Sequence, residues 1–468
     1  METRSPARSF GVEHFGTADL GDERRTRRLA RVADEMLKNP GGTSPDKLNQ
    51  PKDLKAFYRL MNNRPVTHGA VLAPHAARTL EQMSARADVV LILHDKTELD
   101  YSGLTSVEGL GQIGNGNGRG YECMNSLAVT EQREVLGLVH QILFNRPHVP
   151  KGQTRDQRRR RPNRESRLWT QASTAIPPAP SGHLWVDVAD READLLEFLD
   201  SEERLGKKYV VRSKHNRRIF LEKDGESAPQ LLHDLARSLP VVGHRLVSVQ
   251  AREDQPARTA QVAIAWEKVA IRPPVQPRGE YRATPLTIWV VRVGEIEAPV
   301  GVEEPLEWIL VTNVAVENLH DAGERIDWYS CRWVIEEFHK ALKTGCNVES
   351  LQFTTQGALQ PTIALLSVLA VSLLNLRDAS RRPDAKERPA TEVVSPLLVE
   401  VLSRWRQGVP MMAWSVHDFY LALGRLGGHQ NRKSDHPPGW LVLWRGWTKL
   451  QFMAEAVATS RSEKCGQT

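Results

Sequence analysis

Helical periodicity at both ends of the chain, with β-branched runs between them, predicts an α/β protein. A central α/β domain carries a mostly β insertion and is flanked by helical N- and C-terminal domains. Three observations lead there. GDERRTRRLARVADEML repeats its apolar residues at helical spacing. VVLILHDKTEL and HLWVDVADREADLLEFL are buried-strand patterns that end on acids, and the second passes directly into a helical pattern. HRLVSVQAR, AQVAIAWEKVAI, LTIWVVRV and LEWILVTNV then read as strands, set between Pro-rich connections such as RPPVQPRGE. The expected divisions are a helical domain over residues 1–75, an α/β domain over 76–376 with its insertion at about 216–315, and a helical domain over 377–468.

A chain of 468 residues exceeds what one hydrophobic core serves, so several domains are expected. The net charge of +6 favours a polyanionic partner, though only mildly. Cys123, Cys331, Cys346 and Cys465 show no paired spacing, which argues against a disulfide framework or zinc ribbon and suits a reducing cytoplasm. The N-terminus lacks the apolar core of a signal peptide. Ile363–Leu376 is too short and too often interrupted by polar residues for a membrane span, so it reads as a buried helix and no membrane association is expected.

The first module predicts two basic helices. On the first, Arg24, Arg27, Arg28 and Arg31 share a face opposite Leu29, Val32, Ala33 and Met36. The second begins near Pro51, a residue suited to a first helical turn, and sets Lys52, Lys55 and Arg59 against Leu54, Phe57, Tyr58 and Met61. Two cationic stripes in one short module predict contact with phosphates, with Arg27, Arg28, Arg31, Lys55 and Arg59 as candidates.

In the middle of the chain, Asp95 and Asp190 each fall at a strand end. WYSCRWVIEEFHKALKTG reads as one helix over 328–345. On its wheel Tyr329, Arg332, Glu336 and Lys343 fall within about 60° of one another, opposite Val334, Ile335, Phe338, Ala341 and Leu342. Glu337 lies off that stripe. Three carboxylates on rigid mounts suit phosphodiester chemistry with two Mg²⁺ ions, which take hard oxygen ligands. The expected set is Asp95, Asp190 and Glu336; Asp100, Asp187 and Asp194 are rival acids. An Arg332–Glu336 pair on an ordinary surface helix is the plainer alternative. The glycine-rich stretch 109–121 lacks the Lys-Ser/Thr of a phosphate loop and reads as a flexible loop between strands. The run Arg158–Arg161 reads as a loop too.

The spacing Tyr329-(2)-Arg332-(3)-Glu336-(6)-Lys343 resembles the YREK signature of bacterial DDE transposases of the IS-four family, Tn-five type. DLGDERRTRRLARVA, AFYRLMNN, LHDKT, VADREAD, YVVRSKH, PLEWILVTN and the late ALGRLGG…GWLVLWRGW block extend the resemblance nearly end to end. It implies an RNase H-like catalytic domain using Mg²⁺, with Mn²⁺ as a substitute, held by Asp95, Asp190 and Glu336. It also implies that Tyr329, Arg332, Lys343, Arg212 and Lys214 contact DNA, and that Trp308 stacks on a flipped base. Further implications are transposon-end and target double-stranded DNA as partners, a homodimer joined by the C-terminal helices, and action at the nucleoid in a bacterial cytoplasm. The activity implied is cut-and-paste transposition: 3′ nicking, hairpin formation and opening, then strand transfer. A stand-alone nuclease or a catalytically silent DNA-binding protein is the competing expectation.

Overall fold

The computed structural model describes residues 9–465, apart from 148–151, 155–156, 158–159, 222–229, 250–257, 275–281, 300–301, 303–304, 381, 433–434 and 436. Half of the arginine run, Arg158 and Arg159, therefore lies outside the described residues. The chain divides into two compact units, each assembled from separated stretches. Unit 1 is Met1–Leu80, Glu98–Tyr121 and Glu336–Thr468; unit 2 is Glu81–Thr97 and Glu122–Ile335.

Unit 1 begins with α1 (Phe10–Phe15), α2 (Glu23–Lys38), α3 (Ser44–Lys47), α4 (Pro51–Met61) and α5 (His68–Ser84). Asp22 caps α2 by accepting the Arg24 N–H at 2.9 Å. Leu29, Val32, Ala33 and Met36 are fully buried, as the periodicity predicts. These helices close on later parts of the same unit. The Trp447 indole donates to the Leu37 carbonyl at 3.0 Å, Thr448 donates to Asn39 at 2.9 Å, and Phe353 meets the Tyr58 ring edge-on at 5.4 Å. The helix Gln356–Ala379 is long and apolar enough to cross a membrane, yet 83% of its most apolar window is buried. The glycine-rich stretch is more ordered than a flexible loop: Gly111–Ile113 forms a strand (β2) paired antiparallel to Gly118–Gly120 through a tight turn. Gly120 has to be glycine because a Cβ there would meet the Leu99 carbonyl oxygen at 1.8 Å.

Unit 2 is built on a mixed sheet. Its strands are β1 (Val90–Asp100), β3 (Gly118–Thr130), β4 (Val135–Phe144), β5 (Trp185–Ala189), β6 (Lys208–Arg212), β7 (Arg218–Leu221), β8 (Gln230–Leu231), β9 (Gly243–Val249), β10 (Arg258–Ile271), β11 (Leu286–Glu295) and β12 (Glu307–Thr312). The order is β3-β1-β5-β6-β12-β11-β10-β7-β8, with β4 paired to β3 and β9 to β10. β1, β5 and β6 run parallel; β12 is antiparallel to both β6 and β11. The β-rich insertion thus extends this sheet directly. One face of the sheet packs on Leu168, Trp169, Phe198, Leu199, Leu232 and Leu235 from three short helices. The helix Leu319–Ser330 lies on the sheet as well, tied to β9 by Arg245, which pairs with Asp327 at 2.7 Å.

The helix expected over 328–345 is broken. It stops at Ser330, resumes over Trp333–Lys340 and ends in a π-helical turn, Ala341–Gly345. At the break the amides of Arg332 and Val334 reach carbonyls three residues back, Tyr329 and Cys331, so the turn tightens to 3₁₀ geometry. At three residues per turn Tyr329 and Arg332 eclipse one another, and the stripe survives there for a different reason from the one the wheel supplies.

Candidate active site

The parallel register of β1 and β5 pairs Val90 with Trp185 and runs on to His94 with Ala189. One step further along both strands stand Asp95 and Asp190. Asp95 lies within β1, which runs on to Asp100, and not at the strand end the sequence predicts, while Asp190 is the first residue past β5. Paired residues of adjacent parallel strands share a face about 5 Å apart, so one further step of the register sets the two acids on one face. Asp190 is the N-cap of a short turn, its Oδ1 accepting the Glu192 N–H at 2.9 Å. Asp95 Oδ1 accepts the Lys96 N–H at 2.9 Å, and its Oδ2 lies 3.4 Å from the Arg332 guanidinium.

The same face collects further candidates. Leu310 pairs with Arg212, and Trp308, two residues earlier on β12, shares the face of Leu310. Trp308 is half-buried and meets the Tyr329 ring edge-on at 5.0 Å. Arg212 donates to the Glu307 carbonyl at 2.7 Å. Burial raises the Tyr329 phenol's pKa, against the opposing charges of Arg332 and Arg212, so Tyr329 is a neutral hydrogen-bonding group here. Unit 2 therefore brings together Asp95, Asp190, Arg212, Trp308, Tyr329 and Arg332. Lys214 is exposed beyond the end of β6, its amide donating to Asp194 at 2.6 Å.

Glu336 and Lys343 belong to unit 1. Glu336 is half-buried, and Lys343 pairs with Glu349 at 3.1 Å. Its neighbour Glu337 is occupied by structure: it pairs with Arg377 and Lys340 and accepts the Trp440 indole N–H at 3.2 Å. The rival acids have structural partners. Asp194 is buried and gathers the amides of Lys214 and His215 together with Arg217. Asp100 accepts the Ser102 amide and hydroxyl at 2.8 and 2.6 Å. Asp187 is buried on the sheet face opposite Asp95.

Sequence reasoning missed what surrounds Asp95. His94 Nε2 lies 3.3 Å from Asp187, and its Nδ1 is 2.9 Å from the Ser126 hydroxyl. Lys96 pairs with Glu165, with Glu192 at 3.1 Å and with Glu122 at 3.8 Å, while Arg146 bridges Glu122 and Glu165 at 2.7 and 2.9 Å. The available signal was the run of five polar residues, His94 to Glu98, that follows the apolar stretch Val90–Leu93. Burial works against ionising Asp187, but the His94 and Lys207 charges hold its pKa down to about 2. Burial and the Asp187 charge push nearby Glu202 well up.

The carboxylates of Asp95, within β1, and Asp190, just past β5, are hard oxygen donors of the kind a divalent cation such as Mg²⁺ takes. Among the described residues no group of three or more His, Cys, Asp or Glu side chains surrounds a single point.

In the N-terminal module, Arg28 and Arg31 both reach Asp53 of α4, at 3.3 and 3.4 Å, and Arg27 pairs with Glu23 at 3.6 Å. Lys55 and Arg59 are exposed and have no ion pair among the described residues. Residues 7–66, which include α1 to α4, match the family of transposase DNA-binding modules. That match supports a transposase, a DNA-cutting enzyme with DNA as its partner.

Proposed function

We propose that this chain, whose first module is of the transposase DNA-binding kind, is a DDE transposase of the IS-four, Tn-five type that carries out cut-and-paste transposition. The observation that carries the reading is the parallel β1–β5 register, which stops one step short of Asp95 and Asp190, with Arg332 against Asp95 and with Arg212, Tyr329 and Trp308 on the same face. A carboxylate pair needs a counter-charge and a polyanion needs cations, and this face offers both. On this reading the sheet of unit 2 is RNase H-like, and Glu336 joins Asp95 and Asp190 as the third carboxylate.

Mg²⁺, or Mn²⁺ in its place, would be held by Asp95, Asp190 and Glu336 and would activate the attacking oxygen while stabilising the leaving one. Arg332 sits against Asp95 and is placed to receive a phosphate oxygen once that carboxylate turns to a cation. Arg212, Lys214 and Lys343 add positive charge for the DNA backbone, and the Tyr329 hydroxyl donates to it. Trp308 offers a ring on which an unstacked base rests while a hairpin forms. The steps proposed are 3′ nicking, hairpin formation, hairpin opening and strand transfer, each a phosphoryl transfer at one set of carboxylates. Exposed Trp405, Val409, Met411 and Met412 in the C-terminal helical region favour pairing with a second copy.

The test is cleavage of a duplex carrying the element's own inverted-repeat end. Asp95→Ala, Asp190→Ala and Glu336→Ala are each expected to abolish Mg²⁺-dependent nicking while binding to the end persists. Near-native nicking by any of the three removes that residue from the set. Nicking without joining to target DNA would favour a stand-alone nuclease.

A further inference from the structure

The residues on either side of Asp95 are both paired to residues on either side of Asp190. His94 reaches Asp187, three residues before Asp190, at 3.3 Å. Lys96 reaches Glu192, two residues after it, at 3.1 Å. On a strand, 94 and 96 share the face that Asp95 does not use. Each pair has its own backing. His94 is fully buried and held on its other side by Ser126 of β3, and Asp187 lies 3.9 Å from the Lys207 amine. Lys96 is shared with Glu165 and Glu122, which Arg146 holds from behind.

From this geometry we infer that His94–Asp187 and Lys96–Glu192 form a cross-brace, a pair of positioning contacts that fixes the relative height of the Asp95 and Asp190 carboxylates. The inference rests on the assignment of Asp95 and Asp190 as cation ligands. The β1–β5 pairing ends at His94 and Ala189: β1 itself continues through Asp95 to Asp100 beside β3, whereas Asp190 has left β5 for a short turn, so no β1–β5 ladder fixes the one acid against the other. Without a brace, the turn that carries Asp190 is free to shift along the strand axis relative to Asp95. A displacement of about 1 Å between groups that must act together costs on the order of a hundredfold in rate. The brace keeps its charges on the opposite side of the strand, so it neither competes for the cation nor repels the phosphate. It also explains a lysine beside a catalytic acid: Lys96 is committed to three glutamates and is not a DNA contact.

The experiment uses the full chain and compares His94→Leu, His94→Gln, Lys96→Met and Glu192→Gln, with Asp95→Ala as the reference for lost chemistry. Mn²⁺ binding is measured by electron paramagnetic resonance, beside the divalent-ion midpoint for nicking, end-DNA affinity without metal, and melting temperature. His94→Leu and Lys96→Met are expected to slow nicking by roughly ten- to a hundredfold and to weaken Mn²⁺ binding several-fold, with end-DNA affinity unchanged. His94→Gln keeps a side chain able to donate to Asp187 and is expected to recover much of the loss. Glu192→Gln, at the exposed end of the brace, leaves folding intact and shifts the cation midpoint in the same direction. If Mn²⁺ binding and midpoints stay native while only melting temperatures fall, the pairs are structural and the brace is refuted. If Asp95→Ala itself nicks and binds Mn²⁺ normally, the ligand assignment fails, whatever the brace variants do.

Discussion

Trp308 touches Tyr329 edge-on at 5.0 Å and keeps part of its indole in solvent, so its ring is shared between protein and the surface. Base–aromatic stacking contributes about 1–3 kcal/mol. Trp308→Ala is therefore expected to slow hairpin formation by roughly ten- to a hundredfold, with first-strand nicking nearly unchanged. Equal loss at both steps, with a lowered melting temperature, would mean the ring is only packing. Glu336 and Glu337 predict opposite outcomes. Glu337→Ala leaves Arg377 buried without its carboxylate and is expected to destabilise the protein by about 3 kcal/mol, with cleavage per folded molecule retained. Glu336→Ala should abolish cleavage at little cost in stability, and thermal melts beside nicking rates separate the two. At this scale the apolar run of each strand leading to Asp95 and Asp190 is visible in one dimension, whereas the continuation of β1 past Asp95 to Asp100 and the break after Ser330 are not. Nor is the Arg332–Asp95 contact, because 237 residues separate its partners.

The two basic helices of the first module are not equivalent once seen in place. Arg28 and Arg31 converge on Asp53 and clasp α2 to α4, while Lys55 and Arg59 face solvent. Lys55→Ala with Arg59→Ala should flatten the salt dependence of end binding by about two in slope, roughly one per lost phosphate contact. Arg28→Ala with Arg31→Ala should lower the melting temperature more and the slope less; a full two-unit change there would show that these arginines leave Asp53 for DNA. Where α1 meets α5, His14 and His75 approach to 3.0 Å. Burial and then Arg78 lower His14 to about 4, and burial takes His75 well down, with His14 and Arg78 adding to it. Unfolded histidines take up protons near 6.5 and these do so only lower, so stability is full above 6.5 and is lost as pH falls toward 4. The expected loss is on the order of 3 kcal/mol for His14 alone. His75→Phe should shrink that slope in urea melts at pH 7, 6 and 5, and an unchanged slope would place the titration elsewhere. Helix faces here were readable from periodicity, but the choice between solvent and Asp53 for each arginine depends on how α4 crosses α2.

At the scale of the whole chain, the sequence announces its elements well and their partners poorly. Strand-like runs from β9 to β12 are evident, yet nothing in LEWILVTNV says that β12 lies between β6 and β11 and continues the sheet that bears Asp190. Nor does periodicity disclose that the chain passes between the units four times, at residues 80, 97, 121 and 335. Trp447→Ala is expected to cost about 3–5 kcal/mol and to speed amide exchange along α2, which it supports through Leu37. Unaltered exchange in α2 would show that the helix stands without it. The span of that contact, 410 residues, also has a bearing on protein synthesis. Ribosomes add about 5–20 residues each second, so the first helices wait roughly 20 to 80 seconds before Trp447 emerges. Until then α2 and α4 lack Phe353 and the Trp440–Cys465 helix, the surfaces that cover their apolar sides. The basic module therefore reaches its finished form only after residues as far along as Trp447 have been made, long after its own helices.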